Sequence, residues 1–423
     1  MLVFALAAAG ASAEVGGPGD PTVQAVAANA AWLAYTPPPP GGPGVVCLVD
    51  TGVDPNPDTQ LVGAGTLDAS AGTGDADDTT LVAGHPFDHG TEMAMIMAAP
   101  NNGWGMVGIA PTSVRVYSLR AVPAGATAFP FGDYSWGIAQ CQELRDGATP
   151  AITVVNLSLG GTTSPGTAGL QELEDSVDGA RLHGLDVVAA SGDAGGSALD
   201  YPAAYGPVVA VGASDAATGA PCAFSQGGGA VDLLAPGCDA QTGGLQQVFA
   251  DDGNPAVGTG TSQASAIVSA VLASMRAYQP SLTVSGAEQC LTSTAHGGVL
   301  DAAAAFNACG LGATVSAGEA AMAVAQPPAP AAAPSGPRPT ALQAPRLARL
   351  RRHRGRLMVR ALNLPAGARL AVQSRRGHGW GEIRTVAGAT ASIASRGVLR
   401  VRARFEPRGA GTPSPWTVVT LSR

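Results

Sequence analysis

The chain has 423 residues, of which 46% are hydrophobic, 4% aromatic and 13% charged. It is long enough for two domains and apolar enough for a sizeable core, and its low charge excludes coiled coils and charged disordered chains. No apolar run approaches the roughly 20 residues that cross a bilayer, and the net charge of -8 hides an asymmetry: five arginines against 28 acids precede residue 312, and 18 arginines against three acids follow it. Two domains of opposite surface charge are the simplest reading.

In chain order, Met1 to Ala13 combine an apolar stretch with an Ala11-Ser12-Ala13 ending. This is like the second half of a secretory signal and predicts export. Residues 14–40 are rich in Gly, Pro and Ala and end in four prolines, an extended lead-in. From residue 45, strand-like runs alternate with helical stretches. The runs are Val45–Val49, Val114–Leu119, Ile152–Leu157, Leu185–Ala190 and Val208–Val211. Nearly continuous apolar strands between helices predict an α/β fold, a parallel central sheet flanked by helices. Sites in such sheets form at the carboxyl ends of strands.

The six cysteines (47, 141, 222, 238, 290 and 309) are an even set, as disulfides require, and no C-x-x-C pair suggests zinc. Short loops nominate Cys222–Cys238 and Cys290–Cys309, leaving Cys47–Cys141. Residues 312–345 are Ala/Pro-rich and read as a semi-stiff linker. Residues 346–423 show short alternating runs such as Leu357–Arg360 and Val398–Phe405, which predict a small basic β-sandwich whose arginines form the solvated face. The expected domains are therefore a signal-like segment 1–13, an α/β domain 14–311, a linker 312–345 and an all-β domain 346–423.

Three short motifs follow predicted strands or open predicted helices. Asp50-Thr51-Gly52 comes directly after the first run. His89-Gly90-Thr91 opens the helical stretch Glu92–Ala99, where the ring can face a cleft. Gly260-Thr261-Ser262-Gln263-Ala264-Ser265 opens a helix of small and apolar residues ending before Pro280. Ser262 then stands at a helix N-terminus, where free N–H groups favour developing negative charge. The order Asp, His, Ser and these contexts resemble the subtilisin-like serine peptidases. The likeness runs from about residue 20 to 311 and includes Asn156-Leu157-Ser158-Leu159-Gly160 and Tyr201-Pro202-Ala203.

The resemblance implies a triad of Asp50, His89 and Ser262. His89 would take the serine proton, and Asp50 would fix the imidazole tautomer. It implies that Ser158, Leu159, Gly160, Ala190 and Gly192 bind substrate. It also puts Asp200 at the floor of the pocket for the residue preceding the scissile bond, which favours Arg or Lys there. At the position where the family carries an oxyanion-donating Asn stands Asp193. Ionised, it is acceptor-only; protonated, it would donate and shift the pH optimum toward acid. The resemblance further implies a structural Ca²⁺ held by Asp58 and Asn102, by the carbonyls of Pro100, Trp104 and Met106, and by Gln24.

The expected function is that of a secreted, extracellular and monomeric serine endopeptidase acting on proteins or peptides through an acyl-enzyme. No nucleic-acid partner is expected. One alternative is a catalytically degenerate protein of the same fold that only binds. Another is a surface-attached protein whose basic tail holds anionic cell-surface polymers.

Overall fold

The computed structural model describes residues 31–325 apart from 68–80, 83–84, 87–88, 103–104, 122–129, 148, 150, 163–166, 241–244 and 249–254, together with strand segments between 351 and 420. The signal-like segment 1–13, Gln24, Trp104 and residues 326–345 of the expected linker lie outside the described residues. The chain divides into two compact units, Met1–Ala329 and Pro330–Arg423.

The first unit begins with a short 3₁₀ turn, Ala31–Tyr35, and strands β1 (Gly44–Asp50) and β2 (Leu61–Thr66). A two-residue hairpin pairs β3 (Leu81–Val82) with β4 (His85–Pro86). Next come helix α1 (His89–Ala98), β5 (Val114–Arg120), α2 (Phe131–Asp146), β6 (Ile152–Leu157), α3 (Leu170–Leu182), β7 (Asp186–Ala190), β8 (Val209–Asp215) and β9 (Leu233–Cys238). A second hairpin pairs β10 (Leu245–Val248) with β11 (Pro255–Gly258). Four helices close the unit: α4 (Thr261–Tyr278), α5 (Val284–Thr294), α6 (Ala302–Ala308) and α7 (Gly312–Ala325).

Seven strands form one parallel sheet in the order β2-β5-β1-β6-β7-β8-β9. Strand β1 shows why both faces are covered. Val46 and Leu48 point into a core shared with Met93 of α1 and Ala270 of α4. Val45, Cys47 and Val49 point the other way, toward Phe131, Ile138 and Cys141 of α2. Side chains alternate along a strand, so only layers on both sides can bury an all-apolar run. Two strands not expected from the sequence complete the edges. In β2 burial only alternates between partial and none, and β9 carries Pro236, which an edge strand tolerates.

Helix α4 is buried on nearly every side. Its small residues let it lie close to the sheet, and its hydroxyls are paired: Ser274 Oγ lies 2.7 Å from Ser113 Oγ, and Ser269 Oγ lies 2.8 Å from the side chain of Asn156. The three disulfides are Cys47–Cys141, Cys222–Cys238 and Cys290–Cys309, and the described chain has no free cysteine. The first ties α2 to β1 across a separation of 94 residues. Closing a loop of that size stabilises by about 4–5 kcal/mol in the chain-entropy treatment.

The boundary expected at residue 312 is corrected by α7. Residues 312–325 hold no proline, and alanine is the strongest helix former, so the chain stays helical until Pro327 approaches. The helix packs on the N-terminal turn: a Cβ on Gly318 would fall 2.5 Å from Trp32 O.

The described strands of the second unit all pair antiparallel. Strands β12 (Arg351–His353), β13 (Arg356–Arg360) and β17 (Thr390–Ala394) form one sheet. In the other, β14 (Ala368–Arg376) is flanked by β15 (Gly379–Trp380), β16 (Arg384–Val386) and β18 (Arg400–Pro407), and β18 pairs β19 (Thr417–Thr420). Val359, Leu370, Ala371 and Val372 are buried and Arg369 is exposed. The other strand arginines expected on the solvated face lie outside the described side chains.

Candidate active site

The carboxyl ends of β1, β6 and β7 surround a cleft of about 350 Å³. Asp50 is the last residue of β1 and is buried. Its Oδ1 lies 2.7 Å from His89 Nδ1 and also accepts from Thr51 N at 2.7 Å and from Thr51 Oγ1 at 3.2 Å. A neutral imidazole held this way carries its proton on Nδ1 and leaves Nε2 as the acceptor.

His89 is the first residue of α1 and is the one member of the Asp–His pair that reaches the cleft. The turn that delivers it depends on glycine. A Cβ on Gly90 would lie 2.0 Å from Gly52 O, so only glycine lets α1 start this close to the end of β1. Thr51 Oγ1 accepts from Gly90 N at 3.0 Å and joins the first two motifs.

Ser262 is the second residue of α4 and lines the same cleft. Its Oγ donates to Ser158 O at 2.9 Å. Ser158 Oγ in turn donates to Ser262 O at 2.8 Å and lies 2.8 Å from Ser265 Oγ. These bonds lace the segment after β6 to the first turn of α4. The cleft is also lined by Leu159, Gly160, Ala190, Gly192, Asp193 and Asp200, so every substrate-contacting residue expected from the sequence is there.

Asp193 has a definite partner. Its Oδ1 accepts from Thr261 N at 2.8 Å and from Thr261 Oγ1 at 2.9 Å. The residue that caps α4 in sequence, Gly260, has no side chain to offer, so the distant carboxylate takes the first orphan N–H of the helix. The oxygen seen in a hydrogen bond is thus an acceptor, and only Oδ2 is left for the donor role expected of a protonated acid.

The calcium ligands expected from the sequence are partly together. Asp58 is fully buried; its Oδ1 accepts from Asn102 Nδ2 at 2.9 Å and its Oδ2 from Met106 N at 2.9 Å. Gly105, at φ +63°, approaches so closely that a Cβ would meet Asp58 Oδ2 at 2.2 Å. Oxygen donors are present, as Ca²⁺ requires, but Asn102 turns its nitrogen to the carboxylate. To offer an oxygen to the ion, that amide would have to give up its Nδ2 bonds to Asp58 Oδ1 and to Pro57 O at 3.2 Å. No group of three or more His, Cys, Asp or Glu side chains is set to hold a metal among the described residues.

Burial raises the Tyr134 hydroxyl above its ordinary range, reinforced by the charges of Asp50, Asp133 and Asp200. Two polar residues at the site were not anticipated. Thr261 donates to Asp193 through its N–H and Oγ1, and its Oγ1 accepts from Gly192 N at 3.2 Å. Gln226, on the loop before β9, reaches Asp200. Thr261 lies inside a motif and could have been singled out; Gln226 sits in a glycine-rich stretch with no distinguishing pattern.

A family model described as the subtilase family matches residues 42–318, well over half the chain. M-protease of Shouchella clausii is 32% identical over 246 residues, 57% of this chain and 56% of that protein. Subtilisin Savinase of Lederbergia lenta is 33% identical over 207 residues, 48% of this chain and 66% of that protein. Subtilisin of Bacillus pumilus is 30% identical over 258 residues, 59% of this chain and 82% of that protein. The chain thus spans little more than half to two thirds of the first two. A solved protease from Pseudoalteromonas arctica shares the fold, with a TM-score of 0.56 and 23% identity over 66% of this chain and 94% of that one.

Proposed function

We propose, since this chain belongs to the subtilase family, that it is a secreted serine endopeptidase cleaving peptide bonds through Asp50, His89 and Ser262. The observation that carries this reading is the 2.7 Å pairing of His89 Nδ1 with Asp50 in the same cleft that Ser262 lines. The peptidase domain would span residues 14–325 rather than end at 311, with the basic residues 346–423 as a separate domain able to hold anionic cell-surface polymers.

Catalysis would run as follows. Rotation about χ1 swings Ser262 Oγ from the Ser158 carbonyl to His89 Nε2. As Oγ attacks the scissile carbonyl, its proton passes to Nε2, and Asp50 stabilises the imidazolium. The tetrahedral oxyanion would be met by the Ser262 N–H at the N-terminus of α4, since the hydrogen bonds described for Asp193 go to Thr261 N and Oγ1 and not to Ser262 N. Collapse of the intermediate sends the proton from Nε2 to the leaving amine and leaves an acyl-enzyme. Water, activated by the same imidazole, then hydrolyses the ester. Residues 158–160 would pair with an extended substrate backbone, giving affinity with little sequence preference.

Three disulfides support an oxidising, extracellular location, and no described helix is long and apolar enough to cross a membrane. Ca²⁺ would be held by Asp58, Asn102 and the carbonyls of Pro100 and Met106, fixing the loop after α1. A melting temperature that drops by several degrees in EDTA and recovers with added Ca²⁺ supports that ion; an unchanged one removes it. The hydrolase reading predicts covalent labelling by a fluorophosphonate that disappears in Ser262→Ala. A folded protein that resists labelling would favour the degenerate binding protein instead, for which Asp193, an acceptor in the cleft, is the specific support.

A further inference from the structure

Gln263 follows Ser262 in the first turn of α4 and is buried, at 4% exposure. Its Oε1 has no hydrogen-bond partner among the described residues, and none is described for its Nε2. Leaving an amide buried and unpaired costs stability, so one kept beside a nucleophile calls for a physical account. The residue stands three positions after the helix cap, Gly260. A glutamine there ordinarily reaches back to the N–H of the cap. In this chain that N–H already donates to Gly237 O at 2.9 Å. The ordinary role of the side chain is therefore closed to it.

Gly260 shows what the amide faces. A Cβ on Gly260 would lie 2.7 Å from Gln263 Oε1, 3.2 Å from Asp193 Oδ2 and 3.6 Å from Ser262 N. Three polar groups surround one atom-sized space at the foot of the nucleophile, and glycine keeps side-chain atoms out of it. As the side chains stand, Ser262 N–H is the one donor of the three. Asp193 Oδ1 accepts from Thr261, and a carboxylate Oδ2 can only accept as well. An oxyanion formed on the substrate of Ser262 would then meet a single donor and a like charge. The glutamine amide can change that balance. Turned about its last torsion, it presents Nε2 where Oε1 now lies, and the turn breaks no hydrogen bond among the described residues.

We infer that Gln263 is a catalytic residue, whose Nε2 joins the Ser262 N–H in holding the oxyanion that Asp193 leaves short of donors. This rests on the hydrolase reading above and adds a residue to its machinery. In the step concerned, the bond from Ser262 Oγ to the carbonyl carbon forms, the π pair moves onto oxygen, and the Oγ proton passes to His89. On collapse the pair returns to the C=O bond, and the amine leaves with that proton. The amide donates most strongly while the oxygen carries charge, so its contribution falls on kcat rather than on KM.

The test pairs turnover with stability and binding. Gln263→Leu and Gln263→Met keep a side chain of similar size without a donor. Each should lower kcat on a peptide substrate by about 100-fold and change KM by less than about threefold. Their melting temperatures should equal or exceed the parent's, because an apolar group replaces an unpaired buried amide. Adding Asp193→Asn, which puts an amide on the other side of the same space, should bring kcat back to within about tenfold of the parent. A peptide aldehyde, whose adduct carries the oxyanion, should lose affinity in step with kcat. An uncleaved peptide should bind Ser262→Ala with and without Gln263→Leu alike in calorimetry. Parental kcat in both variants, or a loss that Asp193→Asn does not recover, overturns the inference, and labelling of Ser262 by a fluorophosphonate would still leave the hydrolase reading standing. A folded parent that no fluorophosphonate labels removes both.

Discussion

The two ends of the central sheet share the same two elements and use charge in opposite ways. Strand β7 runs from Asp186 to Ala190, and helix α4 runs from Ser262 in its first turn to Arg276 in its last. At the amino end of β7, Arg276 Nη1 donates to Asp186 Oδ2 at 2.7 Å and Nη2 donates to Gly184 O at 3.1 Å. Neither side chain is more than 6% exposed. Arg181 forks onto Glu288 beside them, joining α3 to α5. At the carboxyl end the charges stay turned toward the cleft: His89 presents its ring, and Asp193 and Asp200 each keep one oxygen outside the hydrogen bonds described. One end holds layers together; the other leaves groups available for chemistry.

If this division is right, the ends should come apart under mutation. The largest effect belongs to Ser262→Ala, which should lower kcat by about 10⁴–10⁶-fold while leaving the melting temperature within a degree or so of the parent. Arg276→Met attacks the other end. It strands a buried carboxylate and should destabilise by about 3–5 kcal/mol, measured by denaturant unfolding. The fluorophosphonate labelling rate of the folded fraction should stay the same. An equal loss of labelling rate would mean that the two ends are not independent.

The ion pair also carries a pH signature. Desolvation of Asp186 outweighs the Arg276 guanidinium and pushes the carboxyl up to about 7 from its ordinary 3.8. Among its neighbours, Arg181 works with Arg276 and Glu288 against both. Asp186 Oδ1 and Arg276 Nε have no hydrogen-bond partner among the described residues, consistent with an incompletely compensated pair. A carboxyl raised in the folded state contributes stability that is fully present below about pH 4 and is lost as pH climbs through about 7. Unfolding free energies across that window should therefore decline, and Asp186→Asn should flatten the decline. A curve unaltered by the substitution would place the titration elsewhere.

The smallest of these effects sharpens the account of the cleft. In Asp193→Asn the amide oxygen can still cap Thr261, while the nitrogen adds a donor where an ionised acid repels the oxyanion. Turnover at neutral pH should rise by about 10–100-fold, short of the full effect of a dedicated oxyanion donor. A pH–rate profile identical in the two proteins would make Asp193 a helix cap alone.

Much of this was legible in the sequence where one local pattern determines the outcome. The five apolar runs could only be covered strands, and small residues between Thr261 and Ala277 could only make a helix lying close to a sheet. The cysteine spacings nominated three pairings that the structure contains. Edge strands were less visible: Leu61–Thr66 carries two glycines and Leu233–Cys238 a proline, so each resembles a loop until a neighbour pairs with it. Composition misled at residues 312–325, where alanine was read as part of a Pro-rich linker although proline starts only at Pro327. Gln226 was invisible because its role depends on Asp200, 26 residues away, and no period or spacing announces such a contact.

Mass-spectrometric mapping of the serine labelled by a fluorophosphonate, in the parent and in His89→Ala, bears most directly on the proposed chemistry. Modification of Ser262 alone, slowed by orders of magnitude without the imidazole, is the predicted result. Modification at a different serine, or equal labelling of Ser262 in both proteins, would contradict it.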